Sequence, residues 1–189
     1  MNVIETIRGL KHKSFGETTI RCYFDDMQYD MILMTADCGN NKYLMKTIGI
    51  WRKQNESAFV NQFPFSVEGT TKWFKEYVIN MPDRLLFLIN VKGEYIGHLG
   101  LYRFNFARHT CEIDNIVRGR AKYPGLMGSA VFCMMEWGKD NLDLRRYTLK
   151  VLSDNDRAIR FYTRLWFKEH SRIPCEGAPE KQYVVMREV

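Results

Sequence analysis

The densest chemistry in the chain lies between Thr110 and Leu142, TCEIDNIVRGRAKYPGLMGSAVFCMMEWGKDNL. Arg118, Arg120 and Lys122 stand with Gly119 and Gly125 in a loop that feeds a long apolar stretch from about Leu126. A cationic, glycine-containing loop at a helix N-terminus suits a phosphate. Backbone N–H groups can point at the anion, the helix dipole favours it, and the cations neutralise it. The contacts expected on this ground are Arg118, Gly119, Arg120, Lys122, Gly125 and Gly128. Taken alone, the loop reads equally well as a solvated basic turn. Just upstream, Glu112 and Asp114 are two residues apart. On a strand they share one face with Ile116, while Cys111, Ile113, Asn115 and Val117 share the other. Such a carboxylate can take a proton from a reacting amine, or it can face solvent or pair with an arginine such as Arg103. His98, on a neighbouring strand, is a further titratable group within reach, with a packed histidine as the alternative. Asn155 and Tyr162 are seven apart, so two helical turns place them on one face.

The elements that position these residues follow from patterning. Thr110–Val117 carries Ile113, Ile116 and Val117 and reads as a strand. The spacing predicts a helix over about 126–142. Arg84–Val91 (RLLFLINV) is a nearly continuous apolar run, hence a strand covered on both faces. After the turn Lys92-Gly93-Glu94, Tyr95–Phe104 is its hairpin partner. Thr18–Phe24 and Tyr29–Ala36 form an earlier hairpin. Tyr43 to about Lys53 and Ser66 to about Ile79 are helices, the second with Ser66 as N-cap. Arg146–Leu152 is a strand, Ser153 to about Phe167 a helix capped by Ser153, Asp154 or Asn155, and Lys168–Ile173 with Gln182–Arg187 a closing hairpin. Residues 1 to about 17 are polar and punctuated (Lys11, Lys13, Ser14, Gly16) and carry no readable chemistry. Strands joined by short turns pair antiparallel, whereas 110–117 reaches 146–152 through a helix and so pairs parallel.

At 189 residues the chain is one domain, or one domain with an appendage. The net charge of +6 and pI of about 9.1 suit an anionic ligand without distinguishing a phosphorylated cofactor from nucleic acid. Five scattered cysteines with no CxxC suggest neither a metal site nor a disulfide framework, and point to a reducing, cytoplasmic setting. No apolar run is long enough to span a bilayer.

This order and three local motifs resemble the GNAT superfamily of N-acetyltransferases, over roughly Met31 to Arg187. SDNDRAIRFYTRLWF is similar to the family's N-x-x-A-x-x-F-Y-x-x-x-G-F helix, with Asn155, Ala158, Phe161, Tyr162 and Phe167 in place. EIDNIVRG running into PGLM is similar to its cofactor-binding strand, loop and helix. WRKQNE, from Trp51, is like its substrate-side segment. Two positions depart from the pattern: Met127 stands where a small residue is usual, and Trp166 where a glycine often ends the helix.

The resemblance implies an α/β fold with a mixed, mostly antiparallel central sheet flanked by helices. An extra N-terminal strand would lie in an extension, residues 1–30, ahead of an N-acetyltransferase domain, 31–189. It implies acetyl-CoA as co-substrate, with no metal. Asn115, Ile116, Val117, Leu126, Met127 and Asn155 join the loop residues as cofactor contacts, and a main-chain N–H near Ile116 or Val117 would serve the oxyanion. Glu112 matches the family's carboxylate base, with Asp114 and His98 as substitutes directly or through water, and Tyr162 would protonate the departing thiolate. Trp51, Arg52, Asn55, Phe63 and Phe65 would border the acceptor, or else close the core at the sheet edge. The arrangement also resembles acetyltransferases of amino-sugar and nucleotide-sugar pathways, which implies a nucleotide-linked amino sugar as acceptor. A protein N-terminus or small amine, and a catalytically silent acyl-CoA-binding module, are the rivals. A nucleic-acid-binding role is disfavoured, because the cations gather at one helix entry. A homodimer is left open. Cys111, on the face opposite Glu112, argues against an acyl-cysteine.

Overall fold

The computed structural model of the chain describes residues 3–60 and 65–189. Eight strands form one sheet in the order β1-β2-β3-β4-β5-β6-β8-β7. β1 (Thr19–Phe24) with β2 (Met27–Leu33), β3 (Arg84–Val91) with β4 (Glu94–Asn105), and β7 (Phe167–Cys175) with β8 (Ala178–Glu188) are antiparallel hairpins. β5 (Thr110–Arg118) and β6 (Arg146–Leu152), joined through α4 (Leu126–Leu142), pair parallel. The expected mixed, mostly antiparallel sheet with an added N-terminal strand is what forms.

The apolar run of β3 explains how the layers are held. Leu85, Phe87 and Ile89 pack with Leu126, Ala130, Val131 and Met134 of α4 on one face. Leu86 and Leu88 pack on the other, with Leu44, Met45 and Ile48 of α2 (Lys42–Gln54) and Phe74 of α3 (Val67–Phe74). Each fully buried leucine of this kind contributes on the order of 2 kcal/mol by removing its side chain from water. Asn41 caps α2 by accepting from the Leu44 N–H, and Ser66 caps α3 by accepting from the Gly69 N–H. α3 then widens into a π-helical turn over Lys75–Ile79.

The structure departs from expectation in three places. Residues before Ser14 carry a helix, α1 (Val3–Lys11), where none was read. Nine residues are too few to hold a helix by propensity. Tertiary contacts hold this one: Ile7 is buried, and the buried Lys11 ammonium donates to the carbonyls of Val78, Ile79 and Met81 at the end of the π-turn. The last helix, α5 (Asp156–Arg164), is shorter than the periodicity suggests, with Asn155 as its N-cap. Trp166, just past it, adopts the left-handed conformation (φ +66°) that glycine would have supplied.

The third departure shapes the site. Strict alternation along β5 would put Val117 on the side of Cys111 and Ile113. Instead the β4–β5 register slips, with His98 opposite Val117 but Gly100 opposite Asp114. Three residue steps on β5 match two on β4, a bulge whose Asn115 sits at φ +49°. Beyond it the faces exchange: Cys111 and Ile113 pack toward α4, but Val117 packs toward α2.

Candidate active site

β5 and β6 pair only from Thr110 opposite Arg146 to Ile113 opposite Leu149. Past that point they part, and a cleft of about 610 Å³ opens between them. Asp114, Asn115 and Ile116 line it from β5, Lys150 and Val151 from β6, and Asn155, Ala158 and Tyr162 from α5 and its N-cap. Glu112 also reaches it, so six of the residues singled out from sequence (Glu112, Asp114, Asn115, Ile116, Asn155 and Tyr162) meet in one space.

Asp114 is the most constrained of these. Its Oδ2 accepts from Asn115 Nδ2 at 2.9 Å and faces Arg84 Nη2 at 2.9 Å, while Oδ1 is buried with no hydrogen-bond partner among the described residues. Burial raises the carboxyl to about 6, against the pull of the Arg84 guanidinium. Gly100 makes room for it: a Cβ there would stand 2.8 Å from Asp114 Oδ1 and 2.6 Å from the Leu85 carbonyl. Glu112 is held differently, with Oε2 facing Lys150 at 3.2 Å and Arg103 at 3.4 Å. Tyr162 packs edge-on against Phe161 and Phe167, and burial keeps its hydroxyl protonated well past the ordinary tyrosine range.

The bulge is clamped from three sides. Arg52 Nη1 donates to Asn115 Oδ1 at 3.1 Å, Asn115 Nδ2 donates to Asp114, and His98 Nδ1 donates to the Asn115 carbonyl at 2.8 Å. Arg52 itself lies over Trp73 (3.8 Å to the ring centroid) and near Phe59 (4.7 Å). His98 is fully buried and does not line the cleft. Burial, aided by the Arg52 charge, drives its pKa down to about 3, so the ring is neutral. With Nδ1 as the donor, Nε2 is a lone pair without a partner among the described residues. His98 therefore braces the bulge rather than meeting a substrate.

The acceptor-side residues are rearranged. Trp51 is buried beside His98, with its indole against Gly119. Asn55 caps α2, its Nδ2 donating to the Trp51 carbonyl at 2.8 Å. Phe65 packs over Gly49. None of the three lines the cleft, and Phe63 lies outside the described residues. Phe59, Arg84 and Tyr102 stand at that end instead. Sequence reading passed them over because Arg84 and Tyr102 sit in strands whose apolar pattern reads as core. The Arg84 guanidinium lies 3.7 Å from the Tyr102 ring centroid, and its Nη1 donates to the Tyr77 carbonyl.

The loop also differs from expectation. The Gly119 and Arg120 amides both donate to the Ile96 carbonyl at 2.9 Å, so they point into the fold. Gly119 is small because Trp51 covers it, an ideal Cβ lying 2.1 Å from the indole. Arg120 Nε and Lys122 Nζ share Glu94, at 3.1 and 2.8 Å. Gly125 (φ +89°) opens α4, and the Leu126 and Gly128 amides donate to Tyr123 and Gly125 carbonyls. Met127 is buried. Arg118 is exposed and meets no acid among the described residues.

A CoA-linked acetyl group fits this cleft on two observations. The β5 edge from Asp114 onward has lost its β6 partner, leaving main-chain groups for an extended arm. Asn155 uses its Oδ1 to cap α5, accepting from Ala158 N at 3.1 Å, which leaves its Nδ2 as a donor beside that edge.

A family model described as an acetyltransferase (GNAT) domain matches residues 45–168. No curated protein sequence matches the chain. Among solved structures, a probable acetyltransferase of the GNAT family from Chromobacterium violaceum superposes with a TM-score of 0.74 at 14% identity, over 94% of this chain and 90% of that one. RimL, the ribosomal L7/L12 alpha-N-protein acetyltransferase, gives 0.69 at 12% identity over 94% and 98%. Spermidine N-acetyltransferase from Vibrio cholerae, in complex with CoA and spermine, gives 0.63 at 14% over 78% and 89%. At such identities the structures speak for the fold, and the family model, spanning well over half the chain, decides membership. The chain belongs to the GNAT family and is an acetyl-CoA-dependent N-acetyltransferase.

Proposed function

We propose that the chain acetylates a primary amine by direct attack within the cleft. The observation that carries this reading is that Asp114, Glu112 and Tyr162 open into one space where β5 and β6 part. Bound acetyl-CoA supplies the activated acetyl thioester. Asp114, titrating near 6, is the carboxylate best matched to draw a proton from an ammonium or attacking amine, with Glu112 held in reserve by its two cations. The Ile116 or Val117 amide, on the bulged edge, donates to the carbonyl oxygen as it gains charge. Tyr162, protonated by virtue of burial, gives its proton to the leaving sulfur. No cysteine lines the cleft among the described residues, and Cys111 is buried toward α4, so the transfer needs no acyl-cysteine.

The acceptor we infer is a primary amine on a small molecule or a protein N-terminus. Glu112, Asp114 and Glu176 border the acceptor end and attract an ammonium group. Two of the fold's neighbours act on such amines, a protein alpha-amine and spermidine. A nucleotide-linked amino sugar is the second reading, favoured by the cations Arg84, Arg103 and Lys150 on the same wall. It ranks lower because Trp51 and Phe65 are packed away from the cleft, and Arg84 already lies over Tyr102. Thiol release from acetyl-CoA over a panel of polyamines, N-terminal peptides and nucleotide-linked amino sugars separates these. Turnover with the sugars alone would overturn the preferred acceptor, and no turnover with any amine would overturn the reaction.

A further inference from the structure

Two cations share the end of the π-turn, and one of them reaches the cleft. The turn over Lys75–Ile79 closes with the Asn80 amide donating to the Lys75 carbonyl at 2.9 Å. Carbonyls at a helix end lack a partner in a following turn and carry the negative end of the dipole, so they attract cations. Here three in succession are taken. Arg84 Nη1 donates to the Tyr77 carbonyl at 2.7 Å, and Lys11 Nζ donates to the Val78 and Ile79 carbonyls at 3.1 Å each. The third Lys11 N–H reaches the Met81 carbonyl, so all three donors of the ammonium are used. Lys11 is only 3% exposed, a rare degree of burial for a lysine. It belongs to α1, which precedes the residues that the acetyltransferase family model matches.

Arg84 joins this turn to the site. Its Nη2 lies 2.9 Å from Asp114 Oδ2, its guanidinium rests on the Tyr102 ring, and its Nε is buried with no hydrogen-bond partner among the described residues. Two ends of one rigid, planar fork are thus fastened, one to the Tyr77 carbonyl and one to the Asp114 carboxylate. A shift of the turn is carried to Asp114. We propose that Lys11 is a positioning residue of the active site: by fixing the carbonyls of the π-turn it sets where Arg84 stands, and Arg84 sets the Asp114 carboxylate. α1 then belongs to the machinery of acetyl transfer, a consequence that rests on Asp114 as the base. Arg84 of β3 and Arg52 of α2 are the cations that act on Asp114. Tyr162 of α5, with Glu112 and Cys111 of its own strand, also face it, and β4 presents Gly100 there. Asp83, Arg84 and Arg8 are the charges around Lys11. Drawing Arg84 away removes a charge that favours the carboxylate, so the Asp114 carboxyl must then titrate at higher pH.

The test uses the full chain and reads Asp114 directly. A carbon-NMR titration follows its carboxyl, identified by the signal that Asp114→Asn removes. Lys11→Met keeps the aliphatic stem and drops the ammonium; it should raise the midpoint by about 0.5 or more. Arg84→Gln should raise it by about 1 or more, and adding Lys11→Met to Arg84→Gln should raise it no further. Lys11→Gln, which keeps one donor to the turn, repeats the measurement should Lys11→Met fail to fold. In thiol-release assays Lys11→Met should lower kcat by about 10-fold, leave the KM for acetyl-CoA within about 2-fold, and carry the acid limb of kcat/KM upward with the NMR midpoint. An unmoved midpoint in the Lys11 variants, or the same rise with and without Arg84, would overturn the link. A midpoint that rises while the acid limb stays in place would uphold the link and overturn Asp114 as the base.

Discussion

Asn115 and Asp114 are neighbours in sequence that hydrogen-bond to each other, Asn115 Nδ2 to Asp114 Oδ2 at 2.9 Å. The contact exists because the bulge turns Asn115 to φ +49° and brings both side chains to the same side of β5. It directs Asp114 into the cleft with one oxygen engaged and one without a partner among the described residues.

The pH profile follows from that setting. Burial holds the Asp114 carboxyl up at about 6, so the basic form accumulates only above that value. The acid limb of kcat/KM should therefore rise through about pH 6 and level off above it, until the acceptor amine's own limb appears. Asp114→Asn should remove the pH 6 limb and lower kcat by about 100-fold. The sign for stability runs the opposite way. Because the folded carboxyl is raised above its ordinary value, the stability that it contributes is fully present below pH about 4 and is lost as pH rises through about 6. Unchanged kinetics in Asp114→Asn would move the base to Glu112 or a bound water.

Tyr162 makes a prediction of a different shape. Its hydroxyl is buried and protonated, and its ring is locked between Phe161 and Phe167. Tyr162→Phe keeps the packing and removes only the proton donor. Turnover should fall about 100-fold while the KM for acetyl-CoA stays within about 2-fold, measured by thiol release. A rise in KM with kcat intact would instead make Tyr162 a binding group.

The clamp on the bulge can be read through stability. Asn115→Ala must hold a left-handed φ and loses both side-chain bonds, whereas Asn115→Gly loses the bonds but tolerates the backbone. Urea unfolding should find the alanine variant about 1 kcal/mol less stable than the glycine variant. Both should lose about 10-fold in kcat, because Asp114 is no longer held by Asn115. Arg52→Gln should reproduce part of that loss, since Arg52 donates to Asn115 Oδ1 at 3.1 Å. Equal stability of the alanine and glycine variants would show that the bulge carries no backbone strain.

Much of this arrangement could be read along the chain, and the rest fails for stated reasons. Period and turn residues located the strands, and the motif around Asn155 and Tyr162 located the wall of the cleft. Alternation placed Glu112 and Asp114 on one face correctly, since the earlier irregularity, between Tyr102 and Asn105, puts its extra residue on β4 and leaves β5 regular up to Asp114. It failed at Val117 because a bulge has no signature in side-chain pattern; Asn115, a residue that tolerates φ > 0, is the only hint. Gly119 suggested a phosphate loop, but the same absence of a Cβ serves Trp51, and one sequence cannot tell a ligand's approach from an indole's. α1 was missed because its stability comes from Lys11 reaching carbonyls some seventy positions away.

Trp166 shows that a departure from the family's pattern can keep its backbone. It stands where a glycine is common, yet it takes φ +66°, with its amide donating to the Thr163 carbonyl and its carbonyl accepting from Val189. A left-handed conformation costs a residue with a Cβ about 1–2 kcal/mol. Little packing offsets this, because Trp166 is 73% exposed. Trp166→Gly removes that strain and adds back about 0.5–1 kcal/mol of unfolded-chain freedom, so the net gain should be about 0.5–1 kcal/mol. For a chain of this length that is a rise in Tm of about 1–4 °C, with kcat unchanged. Trp166→Ala is the control: it removes the same indole but keeps the strained backbone, so its Tm should not rise. If both variants lose stability together, the indole is held by contacts of its own and the strain is not what sets the balance at this turn.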